Sequence, residues 1–299
     1  MRRAPIRPGQ GGRRIAAALL PLLLAACGPA DPETKARPAM WLAEDADTRI
    51  YILGSMHALP RGTDWDDGAV GAAIAAADEL VMELSPAELD AAAKTFRELA
   101  PREEPLAIDA RLTGKALMGY RALEASGRRL NGDGFDDWAV MVLIGQRVAQ
   151  NADLSPNEGV EAQLTERFRA ADKPITGLER AREQLMLFET LDPATQRMLL
   201  IRAAEEADTA TRDVLALTAA WSRGDVAALE KVINEDIDTV PAARKAIITD
   251  RNRRWTAWAA RRMERPGIVL MAVGAGHLVG AEGVPALLEA RGVRVRRVQ

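Results

Sequence analysis

The chain has 299 residues with 40 Lys and Arg, 43 Asp and Glu and two histidines, which gives a net charge of −3. The first 26 residues hold five arginines and no acid, so the remainder carries 35 basic and 43 acidic side chains, a net charge of −8. An acidic balance of this size argues against a nucleic-acid partner. The single cysteine excludes a disulfide within the chain.

The N-terminal segment predicts an export signal. An arginine-rich start precedes an apolar run at residues 15–26, which is shorter than the roughly 20 residues that a permanent membrane-spanning helix needs. Residues 24–27 resemble the processing site of a bacterial lipoprotein, which implies that Cys27 is acylated as the first mature residue. The alternative is a buried thiol in a cleaved peptide. Gly28 resembles the residue that sorts lipoproteins to an outer membrane, facing the periplasm, and both general and twin-arginine export stay open.

Three regions follow from this pattern. Residues 1–26 are the predicted lipoprotein signal, and residues 27–39 are rich in Pro, Ala and charge without periodicity, which is typical of a tether. Residues 40–299 are enough for one large domain with a substantial core.

The domain opens with β patterns. Two apolar runs, 39–44 and 49–55, flank turn-rich residues and predict a hairpin. An alanine-rich helix leads to an apolar strand at 79–84, which begins a β-α-β pattern. Apolar residues at helical spacing then dominate residues 86–171.

The second half repeats this alternation. A short strand at 174–179 precedes a long predicted helical region, 180–264. The chain then predicts a strand at 267–277, a helix at 283–292 and a last strand at 293–298. The order of elements predicts an α/β fold: a mixed, largely parallel central sheet with helices on its faces and large helical insertions between strands.

The two histidines share one local pattern. His57 ends the segment YILGSMH and His277 ends AVGAGH, so each lies three residues after a glycine that closes an apolar run. Two further predicted strands end at Glu83 and Glu179. Because open α/β sheets bind ligands at the carboxyl edge of their parallel strands, we expect these four side chains to converge there. The glycines are expected to allow a sharp turn and a close approach to a ligand.

These residue types suit a metal site. Two imidazoles and a carboxylate can hold a divalent ion and leave a position for water, and such an ion assists amide or ester hydrolysis. The prediction is that His57, His277 and Glu83 bind Mn, Co or Zn, among which this donor set does not choose. A second carboxylate could act as general base. The simpler alternative is that both histidines are hydrogen-bonded loop residues. No HExxH motif and no Gly-x-Ser-x-Gly elbow is present.

The ordered motifs resemble the bacterial TraB/GumN family, which is related to the Tiki metalloproteases. The resemblance spans residues 40–299 and is carried by YILGSMH, VMEL, NEGVEAQL, KPITGLERAREQLMLF, DRNRRW and AVGAGHLVGAEGVPALLEARGVRVRRV. It implies an α/β fold with an active site built from both Gly-x-x-His histidines and a glutamate, here His57, His277 and Glu83. Ser55 stands where threonine is common in the first motif, a change that retains the hydroxyl.

Two other family-like segments bring in Glu179, Arg251 and Asn252. One reading is that they support the site, with Glu179 as a second catalytic carboxylate. The other is that Glu179 and Arg251 form an ion pair that locks the long helical region to the sheet. The sequence leaves both open.

Three hypotheses result. Tiki-like relatives are described as divalent-metal-dependent proteases and TraB-type members are linked to shutting down peptide pheromones, but many bacterial members are uncharacterised. Family resemblance therefore does not establish catalysis. The leading hypothesis is a lipid-anchored envelope hydrolase acting on a peptide or small molecule, with the lipid as its only membrane contact. The second is a non-catalytic protein that binds a peptide or small ligand in the same cleft. The third is metal-free acid–base chemistry by the histidines.

Overall fold

The computed structural model describes residues 34–299, with the backbone alone at residues 34 and 234–236. The predicted export signal, Cys27 and the first part of the predicted tether lie outside the described residues. Within the described part, no helix combines the length and the apolar character that crossing a bilayer requires.

A six-stranded sheet forms the centre of the described domain. The strands are β1 (Thr34–Lys35), β2 (Met40–Glu44), β3 (Thr48–Ser55), β4 (Thr63–Asp64), β5 (Glu79–Leu84), β6 (Ile175–Glu179), β7 (Gly267–Gly274) and β8 (Arg294–Arg297). The sheet order is β6-β5-β7-β3-β2-β8, and β6, β5, β7 and β3 are parallel neighbours. Strand β2 pairs antiparallel with both β3 and β8. The predicted α/β class and the opening hairpin are therefore confirmed.

Helices surround this sheet. They are α1 (Gly68–Ala76), α2 (Pro86–Leu99), α3 (Ile108–Arg111), α4 (Gly114–Ala125), α5 (Asp137–Asn151), α6 (Val160–Ala170), α7 (Ala181–Glu189), α8 (Pro193–Glu205), α9 (Ala207–Ser222), α10 (Val226–Ile237), α11 (Pro241–Arg244), α12 (Asp250–Arg262) and α13 (Val284–Glu289). A π-helical segment at Lys245–Thr249 joins α11 to α12, and a 3-10 turn at Ala275–His277 follows β7.

The central strands are buried on both faces, as expected for parallel strands covered by helices. Alternate residues of β7 show this: Leu270 packs with α1, α6 and α9, whereas Met271 packs with α12 and α13. The period-two alternation of strand side chains thus divides the core into two layers. A third apolar cluster, built from α3, α4, α5 and α8 with parts of α9, lies outside both layers and includes the buried Trp138.

The end of the predicted tether packs against the domain. Strand β1 pairs in parallel with β4, and the backbone N–H of Ala36 donates to the carbonyl of Asp64 at 2.6 Å. Ala36 itself is fully buried. From residue 34 onward the chain is therefore part of the folded domain, a few residues earlier than its composition predicts.

Candidate active site

The strand ends bring the predicted side chains together. Register places Ser55 at the end of β3 beside Gly274 at the end of β7, and β5 lies on the other side of β7. His57 and His277 follow the first two strands, and Glu83 lies near the end of the third. All three of these side chains line one cavity.

The glycines of the two motifs permit close packing. A Cβ on Gly54 would lie 3.2 Å from the Cβ of Ala275, and a Cβ on Gly274 would lie 3.2 Å from Oε1 of Glu83. Neither glycine has a positive φ. Glycine at these two positions is therefore explained by the close packing of the two motifs and Glu83, and not by a left-handed backbone conformation.

His57 faces the cavity. Its side chain is 39 % exposed, and Nδ1 lies 2.8 Å from Oε1 of Glu161. Within residues 34–299, Nε2 has no hydrogen-bond partner. Burial alone would lower the pKa of His57, but the Glu161 carboxylate, helped by that of Glu83, raises this pKa to about 9. His57 therefore carries a proton on Nδ1 and presents Nε2 to the cavity.

His277 is buried and has both ring nitrogens engaged. Arg251 Nη1 donates to Nε2 at 3.0 Å, and because a guanidinium has no acceptor, Nε2 must accept. Nδ1 therefore carries the proton and donates to Oδ1 of Asn252 at 2.7 Å. The Trp255 ring packs against the imidazole with centroids 4.5 Å apart. Burial and the Arg251 charge lower the pKa of His277 to about 3, so the ring is neutral at pH 7.

Arg251 is the hub of the buried cluster. Its Nη2 donates to Oε2 of Glu83 at 2.5 Å and to Oε2 of Glu179 at 2.8 Å. Its Nε donates to the same Glu179 carboxylate. Its Nη1 donates to His277 and to the Ile247 carbonyl. All five N–H groups of the guanidinium are thereby engaged. Burial would lower the pKa of Arg251, but Glu83 and Glu179 raise it. Arg251 therefore fixes other side chains and has no donor left for a ligand.

Glu83 joins this hub to the cavity. Its Oε1 accepts from the Gly274 N–H at 2.8 Å and lies 4.0 Å from Nε2 of His277, while Oε2 accepts from Gln184 at 3.0 Å. Burial would raise the pKa of Glu83, but Arg251 holds this pKa well below its usual range. Glu83 is thus an ionised carboxylate held in place from both sides.

Glu179 lies behind Arg251. It pairs with Arg251 and with Arg254, whose Nη2 donates to Oε1 at 3.1 Å, and it does not line the cavity. This geometry matches the predicted ion pair between the helical region and the sheet. The assignment of Glu179 as a catalytic carboxylate stays a prediction, and the cavity geometry gives it no support.

Two residues that hold the side chains of the site were not predicted from the sequence. Glu161, at the start of α6, contacts both His57 and Ser55, whose Oγ donates to Oε1 at 2.5 Å. Burial would raise the pKa of Glu161, but His57 and these hydrogen bonds lower it. Gln184 of α7 holds Glu83. Both lie in family-like segments, but those segments also hold Glu158 and Glu183, and sequence alone gives no reason to choose between them.

The cavity itself is mostly apolar. It has a volume of about 450 Å³, within the range of small-molecule sites. The polar cluster forms one wall, and helices α2, α5, α7 and α10 with the π-helical segment supply the apolar walls. Side chains on these walls include Phe96, Val142, Leu185, Phe188, Ile233 and Ile247. The reactive groups are therefore adjacent to a large apolar surface.

The donor set as it lies does not fit a metal ion. Among the described residues, no group of three or more His, Cys, Asp or Glu side chains is placed to hold one. Nε2 of His277 is occupied by Arg251, and the charges balance already: the carboxylates of Glu83, Glu161 and Glu179 face the cations of Arg251, Arg254 and His57. The divalent-metal assignment of His57, His277 and Glu83 stays a prediction.

Fold and site together define an α/β protein with a histidine–carboxylate cluster at the carboxyl edge of its parallel strands. The chain matches the model of the TraB/PrgY/gumN family over residues 39–297 and therefore belongs to that family. No curated protein and no solved structure gives a significant match. The family resemblance of the motifs is thus confirmed, whereas the relation to the Tiki metalloproteases and the lipoprotein signal stay predictions.

Proposed function

We propose that this protein is a hydrolase that cleaves an amide or ester bond, with a peptide or small molecule as substrate and His57 as its acid–base residue. One observation carries the proposal. Of the two histidines, His57 alone presents an unpaired ring nitrogen to the cavity, because both nitrogens of His277 are bonded to Arg251 and Asn252. A general acid or base must be within reach of the proton that it transfers, and this position meets that requirement.

The chemistry needs one proton relay. In hydrolysis, the oxygen of water bonds to the carbonyl carbon, the C–N or C–O bond breaks, and the leaving atom takes a proton. Protonated His57 supplies that proton from Nε2, and the proton that the water loses restores His57. Because the pKa of His57 is raised to about 9, the donor form is the populated one at pH 7.

Glu83 and Arg251 contribute electrostatics. Glu83 lines the cavity, and its Oε1 accepts a single hydrogen bond, from the Gly274 N–H, which leaves that oxygen further acceptor capacity. That oxygen can orient a water molecule next to the scissile carbonyl. Arg251 keeps the carboxylate ionised and immobile, and an immobile charge needs no reorganisation during the reaction.

The test is turnover with and without metal. Protein purified without a His-tag and treated with a chelator is offered fluorogenic peptides and aryl esters, before and after addition of Mn, Co or Zn. We expect turnover in the chelated protein that is lost in His57→Gln. Turnover that appears only with stoichiometric metal, and is lost equally in His57→Ala and His277→Ala, would establish the metal centre that the sequence predicts and overturn the metal-free route.

A non-catalytic binding protein is the second candidate. The observation that favours it is the mutual pairing of almost every polar group in the cluster, which leaves a mainly apolar cavity. Tight binding of apolar peptides without cleavage, unchanged in His57→Gln, would support binding in place of hydrolysis.

The cellular location is part of the proposal. We infer that the protein is exported and attached by a lipid on Cys27 to an outer membrane, with the domain in the periplasm. Residues 24–28 and the arginine-rich start support this inference. Metabolic labelling with a radioactive fatty acid should mark the wild type and not Cys27→Ser, and label retained by the variant would contradict it.

A further inference from the structure

The start of helix α6 is docked on the loop that carries His57. The backbone N–H of Val160 donates to the Met56 carbonyl at 3.0 Å, and Leu59 and Ser155 exchange two backbone hydrogen bonds at 3.2 and 2.9 Å. Gly159 packs so closely that an added Cβ would lie 2.1 Å from the carbonyl oxygen of His57. The loop and the helix start are therefore one fixed backbone unit.

This docking delivers one carboxylate to the back of the His57 ring. Oε1 of Glu161, on the first turn of α6, lies 2.8 Å from Nδ1, and Ser55 Oγ donates to the same oxygen at 2.5 Å. Oε2 is buried without a hydrogen-bond partner in the described part of the chain. Both hydrogen bonds of the Glu161 carboxylate are therefore made to residues of the first Gly-x-x-His motif.

The bond fixes which nitrogen reaches the substrate. A ring rotated by half a turn would place a carbon atom against Glu161 and turn Nδ1 away, at the cost of the hydrogen bond to a buried charge. With Nδ1 held, Nε2 is the nitrogen that faces the cavity. Carboxylates commonly orient reactive histidines in this way by bonding to the nitrogen that does not react.

We propose that Glu161 is the positioning residue of His57: it holds the imidazole by Nδ1, with Ser55 steadying the carboxylate, so that Nε2 is directed at the substrate. This inference rests on the proposed function for its catalytic consequence. Its structural content, the ring orientation, can be measured without any substrate.

Only two histidines occur in the chain, so ¹⁵N-histidine labelling gives spectra of two imidazoles. We expect Glu161→Gln to change the His57 ring shifts, because the amide can turn its NH₂ group to Nδ1 and displace the proton there. The His277 signals should stay unchanged and serve as an internal reference. Glu166→Gln, the same substitution at an exposed position of α6, is the matched control and should leave both rings as in wild type.

Kinetics provide the second measurement. We expect Glu161→Gln to lower kcat between about 10-fold and 10⁴-fold with KM little changed, the range seen when a histidine loses its orienting carboxylate. Ser55→Ala keeps the carboxylate and should produce a smaller change of the same kind. If Glu161→Gln does not fold, Glu161→Asp takes its place, since it withdraws the carboxylate by one methylene.

The two proposals fail separately. His57 ring signals in Glu161→Gln, or in Glu161→Asp, that match wild type would overturn the positioning role, as would an equal change in Glu166→Gln. Absence of turnover in wild type, with the ring shifts changed as expected, would overturn the hydrolase proposal and leave the positioning role standing.

Discussion

The two Gly-x-x-His motifs have the same spacing, end neighbouring parallel strands and lie side by side, yet their histidines differ in chemistry. His57 is partly exposed, bonded to a carboxylate and raised in pKa to about 9. His277 is buried, bonded to a guanidinium and lowered in pKa to about 3. One ring can exchange a proton with a ligand, whereas the other is locked in a neutral form.

The difference arises from what packs behind each ring. Helix α6 brings Glu161 to the first motif, and α12 brings Arg251 and Asn252 to the second. The motif determines where each histidine lies, and the helix docked on it determines its protonation. A shared motif is therefore insufficient evidence that two histidines play the same part.

The largest expected effect is on turnover, and it follows from replacing His57. Replacing it with Gln should lower kcat by about 10² to 10⁴, the usual contribution of a general acid or base, because the proton donor is lost. The free energy of unfolding should change little, since the side chain is partly exposed. Steady-state kinetics and urea unfolding measure the two quantities on one preparation. Equal losses of activity in the His57 and His277 variants would show that the two rings act together after all.

Replacing Arg251 with Met should give the largest loss of stability. It would leave Glu83 and Glu179 buried without their common cation, and breaking a buried pair from one side costs about 3–5 kcal/mol. Arg254→Met is the matched control, because that side chain is 54 % exposed and should contribute about 1 kcal/mol or less. Similar urea midpoints for the two variants would contradict the hub role of Arg251.

Much of the fold and part of the site follow from the sequence. The strands were predictable because apolar runs of strand length alternate with helical patterns, and parallel order then places His57, Glu83 and His277 at one edge. Glu161 was not predictable: it reaches His57 across 104 residues, through a docking of α6 that depends on backbone contacts at Gly159.

The hydrogen bonds that hold His277 could not be predicted from the sequence either. The segment DRNRRW offers three arginines, and which of them points inward depends on the helical phase that follows the π-helical segment. Arg251 is 4 % exposed, and the extra residue that a π-helix accommodates helps to set which face α12 turns to the sheet. Sequence periodicity alone does not reveal that phase.

Replacing His277 with Gln tests whether the second histidine has a structural role only. The variant should unfold about 1–3 kcal/mol more easily, because Asn252 and Arg251 each lose a buried hydrogen-bond partner. The His277→Gln variant should retain turnover, whereas His57→Gln should lose it. Both variants are assayed at a temperature where they are folded. Full loss of turnover in folded His277→Gln would contradict a purely structural role for this ring.

The smallest expected effect is on the pH dependence of stability, to which the two histidines contribute over different pH ranges. Because the pKa of folded His57 is raised from 6.5 to about 9, its contribution is full below pH 6.5 and is lost as the pH rises through about 9. For His277 the pKa falls to about 3, so its contribution is full above pH 6.5 and is lost as the pH falls toward 3. The charged groups that act on these pKa values are Glu161, Glu83 and Arg251 for His57, and Arg251, Glu83 and His57 for His277.

Urea unfolding at a series of pH values, with each variant subtracted from wild type, isolates the two contributions from the titration of other groups. The difference for His57→Gln should change only on the alkaline side, by about 1 kcal/mol or less because the ring is partly solvated. The difference for His277→Gln should change only on the acid side. If both differences changed over the same pH range, the two rings would share one environment, and the contrast between the motifs would not hold in solution.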